Sequence, residues 1–232
     1  MKFPSFQSYG SAAIALAALA SLSTPVSAAT ENPIVHLPAT AIFATENNGR
    51  FAVITDTGRF IIQGTLYDVW SQREINTVEE ARWAATHIPL DKANVGFQDL
   101  QPISVGQGEK VVYLFSDIQC GFCKELISEA RRGLPEGYRL DVIMLPLLGA
   151  ESARRTSDIH CATDKAQAWQ VAVSGDMRTP LDVIDCDLTV LDNRMATAQF
   201  IGARNVPFLV RDDGLIQQGP PSEGLRAWIN NR

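Results

Sequence analysis

Two cysteines separated by two residues, Cys120 and Cys123, are the side chains of this 232-residue sequence best suited to chemistry. A dithiol at this spacing can close into a disulfide and reopen, so the pair predicts a redox site. Residues 111–116 before it are apolar and β-branched, which is typical of a buried strand, and residues 124–132 after it have helical spacing. The two cysteines are therefore predicted where a strand becomes a helix.

This position gives the two cysteines different roles. At a helix N-terminus, unpaired backbone N–H groups and the positive end of the helix dipole favour a thiolate over a thiol. Cys120 is therefore the predicted nucleophile. Cys123 falls one turn further on, on the helix face shared by Leu126, Ile127 and Ala130, so it is predicted to be the shielded resolving thiol.

A metal site is the alternative interpretation of the pair. Zinc requires four ligands, but Cys161 and Cys186 are far apart in sequence, and the histidines stand at no ligand spacing to the dithiol: His36, His87 and His160. Haem attachment requires a histidine directly after the second cysteine, where this chain has a lysine. We expect no metal and no organic cofactor.

The other two cysteines, Cys161 and Cys186, are interpreted as a structural disulfide. It would close a loop of about 25 residues and remove roughly 3 to 4 kcal/mol of chain entropy from the unfolded state. The alternative is a second redox-active pair, but neither cysteine stands at a strand-to-helix junction that would activate it.

Two further residues are candidates for the site, one just before the dithiol and one just before a later strand. Asp117, three positions before Cys120, is predicted as a polar group at a strand end, the alternative being a charge that acts on the thiol. Pro207, which follows Val206 and precedes an apolar run, is on these grounds alone an edge-strand proline.

The start of the chain indicates export. Residues 1–28 resemble a secretory signal peptide, because Lys2 is their only charge, the apolar run at 12–22 is too short to span a bilayer, and small residues stand at 26–28. An uncleaved membrane anchor is the alternative. Four cysteines, an even number, suit an oxidising compartment. The net charge of −6 and the absence of a basic stripe argue against nucleic acid as a partner.

A small β module is predicted at residues 40–72. Residues 51–54 and 60–62 flank an Asp-Thr-Gly turn and predict a hairpin, and residues 65–69 extend its sheet. About thirty residues bury little core alone, so the module needs a partner surface, most simply a second copy of itself. Thr77 with Glu80 forms a capping box that predicts a connecting helix.

The rest of the chain alternates between strands and helices. The dithiol helix lies between two apolar strands and completes a βαβ unit. The predicted elements are an extended segment at 95–105, a strand at 138–145, one helix at 151–174, a helix at 189–203, strands at 205–210 and 215–217, and a terminal helix capped by Ser222.

These motifs together resemble the DsbC/DsbG family of periplasmic protein disulfide isomerases. The similarity covers nearly all of the sequence after the leader and is carried by residues 57–69 (TGRFIIQGTLYDV), 115–123 (FSDIQCGFC), 161–165 (CATDK) and 219–221 (GPP), and by the spacing of the second cysteine pair. The resemblance implies an α+β protein. It would have an N-terminal β dimerisation domain at 29–74, a linker helix and connector at 75–105, and a thioredoxin-like catalytic domain at 106–232 with a helical insertion at about 150–203.

The family resemblance also implies roles for single residues. Cys120 would attack and Cys123 resolve, Cys161 and Cys186 would form the structural bridge, and a cis Pro207 would face the dithiol. Val206 and Pro207 would then bind substrate. Two positions differ from the family pattern, because Phe122 replaces a common tyrosine and Val206 a common threonine whose hydroxyl could bond the thiolate.

The predicted function is disulfide isomerisation in the periplasm. Reduced Cys120 would attack wrong disulfides in misfolded exported proteins, a homodimer would enclose an apolar cleft, and a membrane-embedded thiol reductase would supply electrons. One alternative is a dithiol oxidase or a reductase with few clients. The other is a holdase chaperone in which the thiols are secondary.

Overall fold

The structure is a computed structural model that describes residues 41–47, 50–62 and 64–231. The predicted signal peptide, residues 1–28, lies outside the described residues. The division of the chain into three domains after it stays a prediction. In the part of the chain that the structure describes, no helix has the length and apolar character needed to cross a bilayer.

Five short strands form the N-terminal β module. They are β1 (Ile42–Asn47), β2 (Arg50–Thr55), β3 (Ile61–Ile62), β4 (Leu66–Asp68) and β5 (Arg73–Ile75). The predicted hairpin is present, since β2 pairs antiparallel with β3. The prediction that residues 65–69 extend its sheet is wrong: β4 pairs with β5 instead. The Asp68 carboxylate accepts hydrogen bonds from the amides of Trp70 and Ser71, and this side-chain turn folds the chain back at the end of β4.

A helix, α1 (Val78–Thr86), follows with the predicted capping box. The amide of Glu80 donates to Thr77 Oγ1 over 3.1 Å, and the Glu80 carboxylate accepts from the Thr77 amide. The helix ends at Thr86, because His87 is extended and bridges to Leu215.

A five-stranded sheet forms the centre of the remaining chain. Its strands are β6 (Ile103–Val105), β7 (Lys110–Ser116), β8 (Tyr138–Met144), β9 (Phe208–Val210) and β10 (Ile216–Gln218), in the order β10-β9-β7-β8-β6. Only β7 and β8 pair in parallel, and α2 (Gly121–Arg132) connects them, as the βαβ prediction required. The segment at 95–105 is not extended throughout, because residues Phe97–Leu100 form a 3₁₀ turn before β6.

The two faces of this sheet carry separate apolar clusters. Alternate residues of β7 point to opposite faces, so Val112 and Leu114 belong to one cluster and Phe115 to the other. The first cluster packs against α2 and later helices, while the second packs against residues that follow α1, such as Ile88. The sheet is covered on both sides, which explains why most side chains of its central strands are apolar.

Three helices lie between β8 and β9 and form the predicted insertion: α3 (Ala150–Cys161), α4 (Lys165–Ser174) and α5 (Thr189–Phe200). The single helix predicted at 151–174 is wrong. Ala162 is extended and bridges to Val183, and Asp164 then caps a new helix by accepting from the amides of Ala166 and Gln167.

The terminal helix, α6 (Leu225–Asn230), begins later than predicted, and Ser222 is not its cap. The carboxylate of Glu129 on α2 accepts hydrogen bonds from the amides of Leu225 and Arg226, at 3.1 Å each. A side chain about a hundred residues away thus satisfies the first amides of α6, so no local capping residue is needed.

A buried arginine ties the insertion to the segment that precedes β6. Arg194 of α5 donates to the carbonyls of Leu100 and Gln101, and burial lowers the pKa of its guanidinium to about 10. With a mixed sheet, helices on both faces and this insertion, the architecture is α+β and is the thioredoxin fold that the sequence predicted.

Candidate active site

The dithiol lies at the turn between β7 and α2, as predicted. Cys120 is the N-cap residue of α2, and its sulfur accepts a hydrogen bond from the amide of Cys123 over 3.2 Å. Its own amide donates to the carbonyl of Asp117 over 3.0 Å, which closes the turn that leads into the helix. A negative charge on Cys120 Sγ would therefore meet an N–H group and the positive end of a twelve-residue helix.

The two sulfurs form a disulfide whose Cα atoms are 5.2 Å apart. Cys120 is 6% exposed and Cys123 is fully buried on the face of α2 that carries Leu126 and Ile127. The structure thus reproduces the predicted difference in shielding between the two cysteines. Phe122 between them points outward and is 57% exposed.

Asp117 is more than a polar group at a strand end. It is 1% exposed, and its carboxylate accepts hydrogen bonds from three segments: the amide of Gln119, the amides of Leu147 and Leu148, and the hydroxyl of Ser152. These contacts, at 2.6 to 2.8 Å, fix the loop before Cys120 against the loop after β8 and the start of α3. Four donors satisfy this buried charge, which is what a buried carboxylate requires.

Sequence reasoning identified Asp117 but not its partners. Leu147, Leu148 and Ser152 lie 30 to 35 positions further along the chain, and no local pattern links them to the dithiol. The only signal in the sequence for the role of Asp117 is its position directly after an apolar strand.

Pro207 lies at the same end of the sheet as the dithiol. Because β7 and β9 are antiparallel with Phe115 opposite Phe208, the residue before β9 stands beside the residue where β7 ends. The bond between Val206 and Pro207 is cis, and the Pro207 carbonyl accepts from the amide of Gly219. The backbone N–H and C=O of Val206 have no hydrogen-bond partner among the described residues.

The second cysteine pair lies in the insertion and not at this site. Cys161 is the last residue of α3 and forms a disulfide with Cys186, with Cα atoms 5.6 Å apart. The amide of Ile184 donates to the Cys161 carbonyl, so the loop that carries Cys186 is also held by backbone pairing. The structure therefore places Cys120, Cys123 and Pro207 at the same end of the sheet and the second pair among the helices of the insertion.

Comparison with known proteins gives a consistent set of relatives. No protein-family model matches the chain. The thiol:disulfide interchange protein DsbC of Salmonella typhimurium is 26% identical over 182 residues, which cover 76% of this chain and 71% of that protein. The DsbC of Escherichia coli strain K12 is 27% identical over 180 residues, covering 76% and 72%. A probable DsbC of Bordetella pertussis is 25% identical, and the match covers 73% of this chain but 58% of that protein.

Comparison with solved structures also found partial similarities. A disulfide interchange protein from Neisseria gonorrhoeae superposes with a TM-score of 0.46 and 25% identity, covering 56% of this chain and 95% of that one. DsbA2 from Pseudomonas aeruginosa gives a TM-score of 0.43 and 18% identity, covering 55% and 92%.

The chain has a thioredoxin fold with a dithiol at the N-terminus of α2, and thiol:disulfide interchange proteins are among the proteins to which it is similar. Together these features define a thiol:disulfide oxidoreductase. The chemistry of this class is the exchange of thiols and disulfides. Within that class the chain is similar to the DsbC proteins, as the resemblance drawn from its motifs predicted.

Proposed function

We propose that this protein is a periplasmic disulfide isomerase that rearranges wrong disulfides in exported proteins. The observation that carries the proposal is the placement of Cys120 at the N-cap of α2 with the Cys123 amide bonded to its sulfur. Such a site stabilises the reduced, thiolate form, which is the form that an isomerase needs.

The reaction begins with the Cys120 thiolate. It attacks one sulfur of a client disulfide, the client S–S bond breaks, and the departing client sulfur leaves as a thiolate that takes a proton from solvent. The product is a mixed disulfide between Cys120 and the client. The buried Cys123 remains one helical turn away.

Two routes lead from the mixed disulfide. In isomerisation, another client thiolate attacks the client sulfur and expels the Cys120 thiolate, so no electrons are transferred overall. In reduction, the Cys123 thiolate attacks Cys120 Sγ and releases a client thiol. Two electrons then pass to the client, and the enzyme keeps a Cys120–Cys123 disulfide. Renewed activity after this route requires a dithiol donor, for which we propose a membrane-embedded thiol reductase.

The Val206–Pro207 bend supports an extended client segment. The free backbone N–H and C=O of Val206 can pair with the backbone of a bound chain, and proline contributes no N–H that would need a partner there. We assign substrate binding to Val206 and Pro207 on this basis.

Exposed apolar side chains on the β module support a homodimer joined through this module, which is part of the proposed function. Ile42 and Phe43 on β1, and Ile61 and Ile62 on β3, are each more than half exposed. A thirty-residue module with this much exposed apolar surface needs a cover, and a second copy supplies one. We expect Phe43→Glu to convert a dimer to a monomer in sedimentation, whereas Val183→Glu, which alters an equally exposed residue of the insertion, leaves the dimer intact.

Recovery of a scrambled multi-disulfide substrate in a glutathione buffer tests the proposal. We expect the wild type to restore the native disulfides and Cys120→Ser to give the uncatalysed rate. The double variant Cys161→Ser, Cys186→Ser serves as the matched control and should retain recovery at a temperature where it is folded. Wild-type protein that oxidises a reduced substrate but does not recover the scrambled one would contradict isomerase function.

An oxidase is the second candidate, and the donors that stabilise the Cys120 thiolate favour it, because a dithiol whose reduced form is stabilised is the stronger oxidant. Val206 presents no hydroxyl beside the dithiol, and the hydrogen bond that the structure gives to Cys120 Sγ comes from the Cys123 amide alone among the described residues. The missing hydroxyl acts in the opposite direction: with fewer donors the thiolate is less stabilised, so the dithiol is more reducing, which works against an oxidase. The equilibrium constant of the dithiol with glutathione, compared between wild type and Val206→Thr, separates the two candidates. A more reducing wild-type site disfavours the oxidase.

A further inference from the structure

Three segments lie at the end of the sheet where β7 leads into the dithiol, and we call them the rim. They are residues 117–123, which include the start of α2, residues 146–149 and residues 205–207. Their only ionisable side chain besides the cysteines is Asp117, which is buried and fully hydrogen-bonded. The charged residues that stand next to these segments in the sequence are Lys124, Glu151 and Arg204, so the uncharged part of the site is confined to the rim itself.

Leu148 is an exposed apolar residue of this rim whose backbone is held by a hydrogen bond to Asp117. Asp117 Oδ1 accepts from the amide of Gln119, directly before Cys120, and Oδ2 accepts from the amide of Leu148, each at 2.8 Å. One carboxylate therefore spans the distance between the dithiol loop and Leu148. The side chain before it, Leu147, packs into the second apolar cluster, while Leu148 is 49% exposed.

The backbone after Leu148 is equally fixed. Gly149 has a φ of 106°, which glycine adopts readily, and its carbonyl accepts from the amide of Ala153 as α3 begins. A single exposed leucine is ordinary on a protein surface. Leu148 differs because Asp117 fixes its backbone relative to the segment before Cys120. Its position relative to a client bonded to Cys120 is therefore also fixed, and the exposed Phe122 lies in the first turn of α2.

We propose that Leu148 is a specificity-determining residue that selects clients whose cysteine is flanked by uncharged, apolar residues. This inference rests on the proposed function. In a mixed disulfide the client Cα lies about 4.4 to 6.8 Å from that of Cys120, and each flanking residue adds about 3.8 Å of chain. The client residues next to the cysteine therefore pass over the rim, and apolar ones bury surface against Leu148. Such cysteines belong to the interior of a folded protein, so the rim favours chains that are misfolded.

The test compares two disulfide-linked peptides that differ only in the residues flanking the cysteine, leucine in one and glutamine in the other. The second-order rate of exchange with reduced protein is measured for each and normalised to the rate with glutathione disulfide. We expect the wild type to prefer the leucine peptide by about five- to tenfold, the effect of partly burying one aliphatic side chain. Leu148→Gln should reduce this preference to about twofold or less, and Leu148→Met should retain it.

Ile184→Gln is the matched control. Ile184 is 59% exposed, but its amide bonds to Cys161 at the far end of α3, and twelve helical residues span about 18 Å. We expect this variant to keep the wild-type preference. An unchanged preference in Leu148→Gln, or an equal loss in Ile184→Gln, would overturn the inference. A protein that discriminates between the peptides but cannot recover a scrambled substrate would overturn isomerase function and leave the role of Leu148 standing.

Discussion

The two cysteine pairs of this chain differ in the helix end to which each is attached. Cys120 stands at the N-terminus of α2, whereas Cys161 is the last residue of α3, where the helix dipole presents its negative end. Exposure does not distinguish them in the expected way, because the Cys120 pair is buried and both members of the second pair are only half-buried. The reactive sulfur therefore differs from the structural one in the end of the helix dipole beside it, more than in its exposure to solvent.

The two pairs also close loops of very different length. Cys120 and Cys123 are three positions apart, so their bond restricts the unfolded chain little, while Cys161 and Cys186 are 25 apart. The first pair can therefore open and close at little cost to the fold. The second pair contributes stability for as long as it stays oxidised.

The largest expected difference concerns exchange chemistry. Cys120→Ser should reduce the exchange rate to background, because the attacking sulfur is gone, whereas the double variant Cys161→Ser, Cys186→Ser should stay within about twofold of wild type. The measurement is the rate of reduction of a fluorescent disulfide peptide by reduced protein. Cys123→Ser provides the control, since it should accumulate mixed disulfides that resolve slowly. An equal loss of exchange rate in Cys120→Ser and in the double variant would contradict the assignment of one pair as reactive and the other as structural.

The next difference concerns stability. Loss of the Cys161–Cys186 bond should lower the free energy of unfolding by about 3 to 4 kcal/mol, because a loop of 25 residues is released in the unfolded state. Guanidinium denaturation of the oxidised double variant against oxidised wild type measures it. The matching comparison is Cys120→Ser with Cys123→Ser, for which we expect a smaller loss. The opposite order would mean that the short pair is the structural one.

A third prediction concerns the acid that supports each pair. Asp117→Ala should cost about 2 to 3 kcal/mol, because it leaves the buried Ser152 hydroxyl and three partly buried amides without their acceptor, and it should also slow exchange by freeing the loop before Cys120. Asp164→Ala, which removes the exposed cap of α4 beside the second pair, should cost about 1 kcal/mol and leave exchange unchanged. Denaturation and the peptide assay check both. Slower exchange in Asp164→Ala would contradict the assignment.

The smallest effect separates stability from reactivity. Hydrogen bonds from Arg211 lower the pKa of Asp213 to about 2, against partial desolvation, which raises it. A depressed carboxyl pKa adds stability above its unfolded value near 3.8, and that stability is lost as the pH falls from about 4 to 2. After allowance for solvent screening, we expect Asp213→Asn to cost about 1 kcal/mol at pH 7 and almost nothing at pH 2.

Denaturation of wild type and Asp213→Asn at both pH values measures this difference, and exchange rates at pH 7 serve as the control. The rates should be equal in the two proteins, since Asp213 touches neither cysteine pair. A cost that persists undiminished at pH 2 would show that the effect is not ionic.

The sequence by itself determined the elements whose causes are local. The dithiol at a strand-to-helix turn, the burial of Cys123 on the Leu126 face and the capping box of α1 all follow from neighbours within a few residues. The βαβ order followed from apolar strands on either side of one helix. Such patterns need no knowledge of the rest of the fold.

Only the tertiary structure decided what depends on distant contacts. The start of α6 is set by Glu129 from α2, and β4 pairs with β5 apart from the hairpin sheet. The clamp of Asp117 on Leu148 joins residues 31 positions apart, and this clamp gives the rim of the site its shape. A hydrogen bond between segments leaves no period or spacing in the sequence, because its partners are chosen by how the sheet brings loops together at one edge.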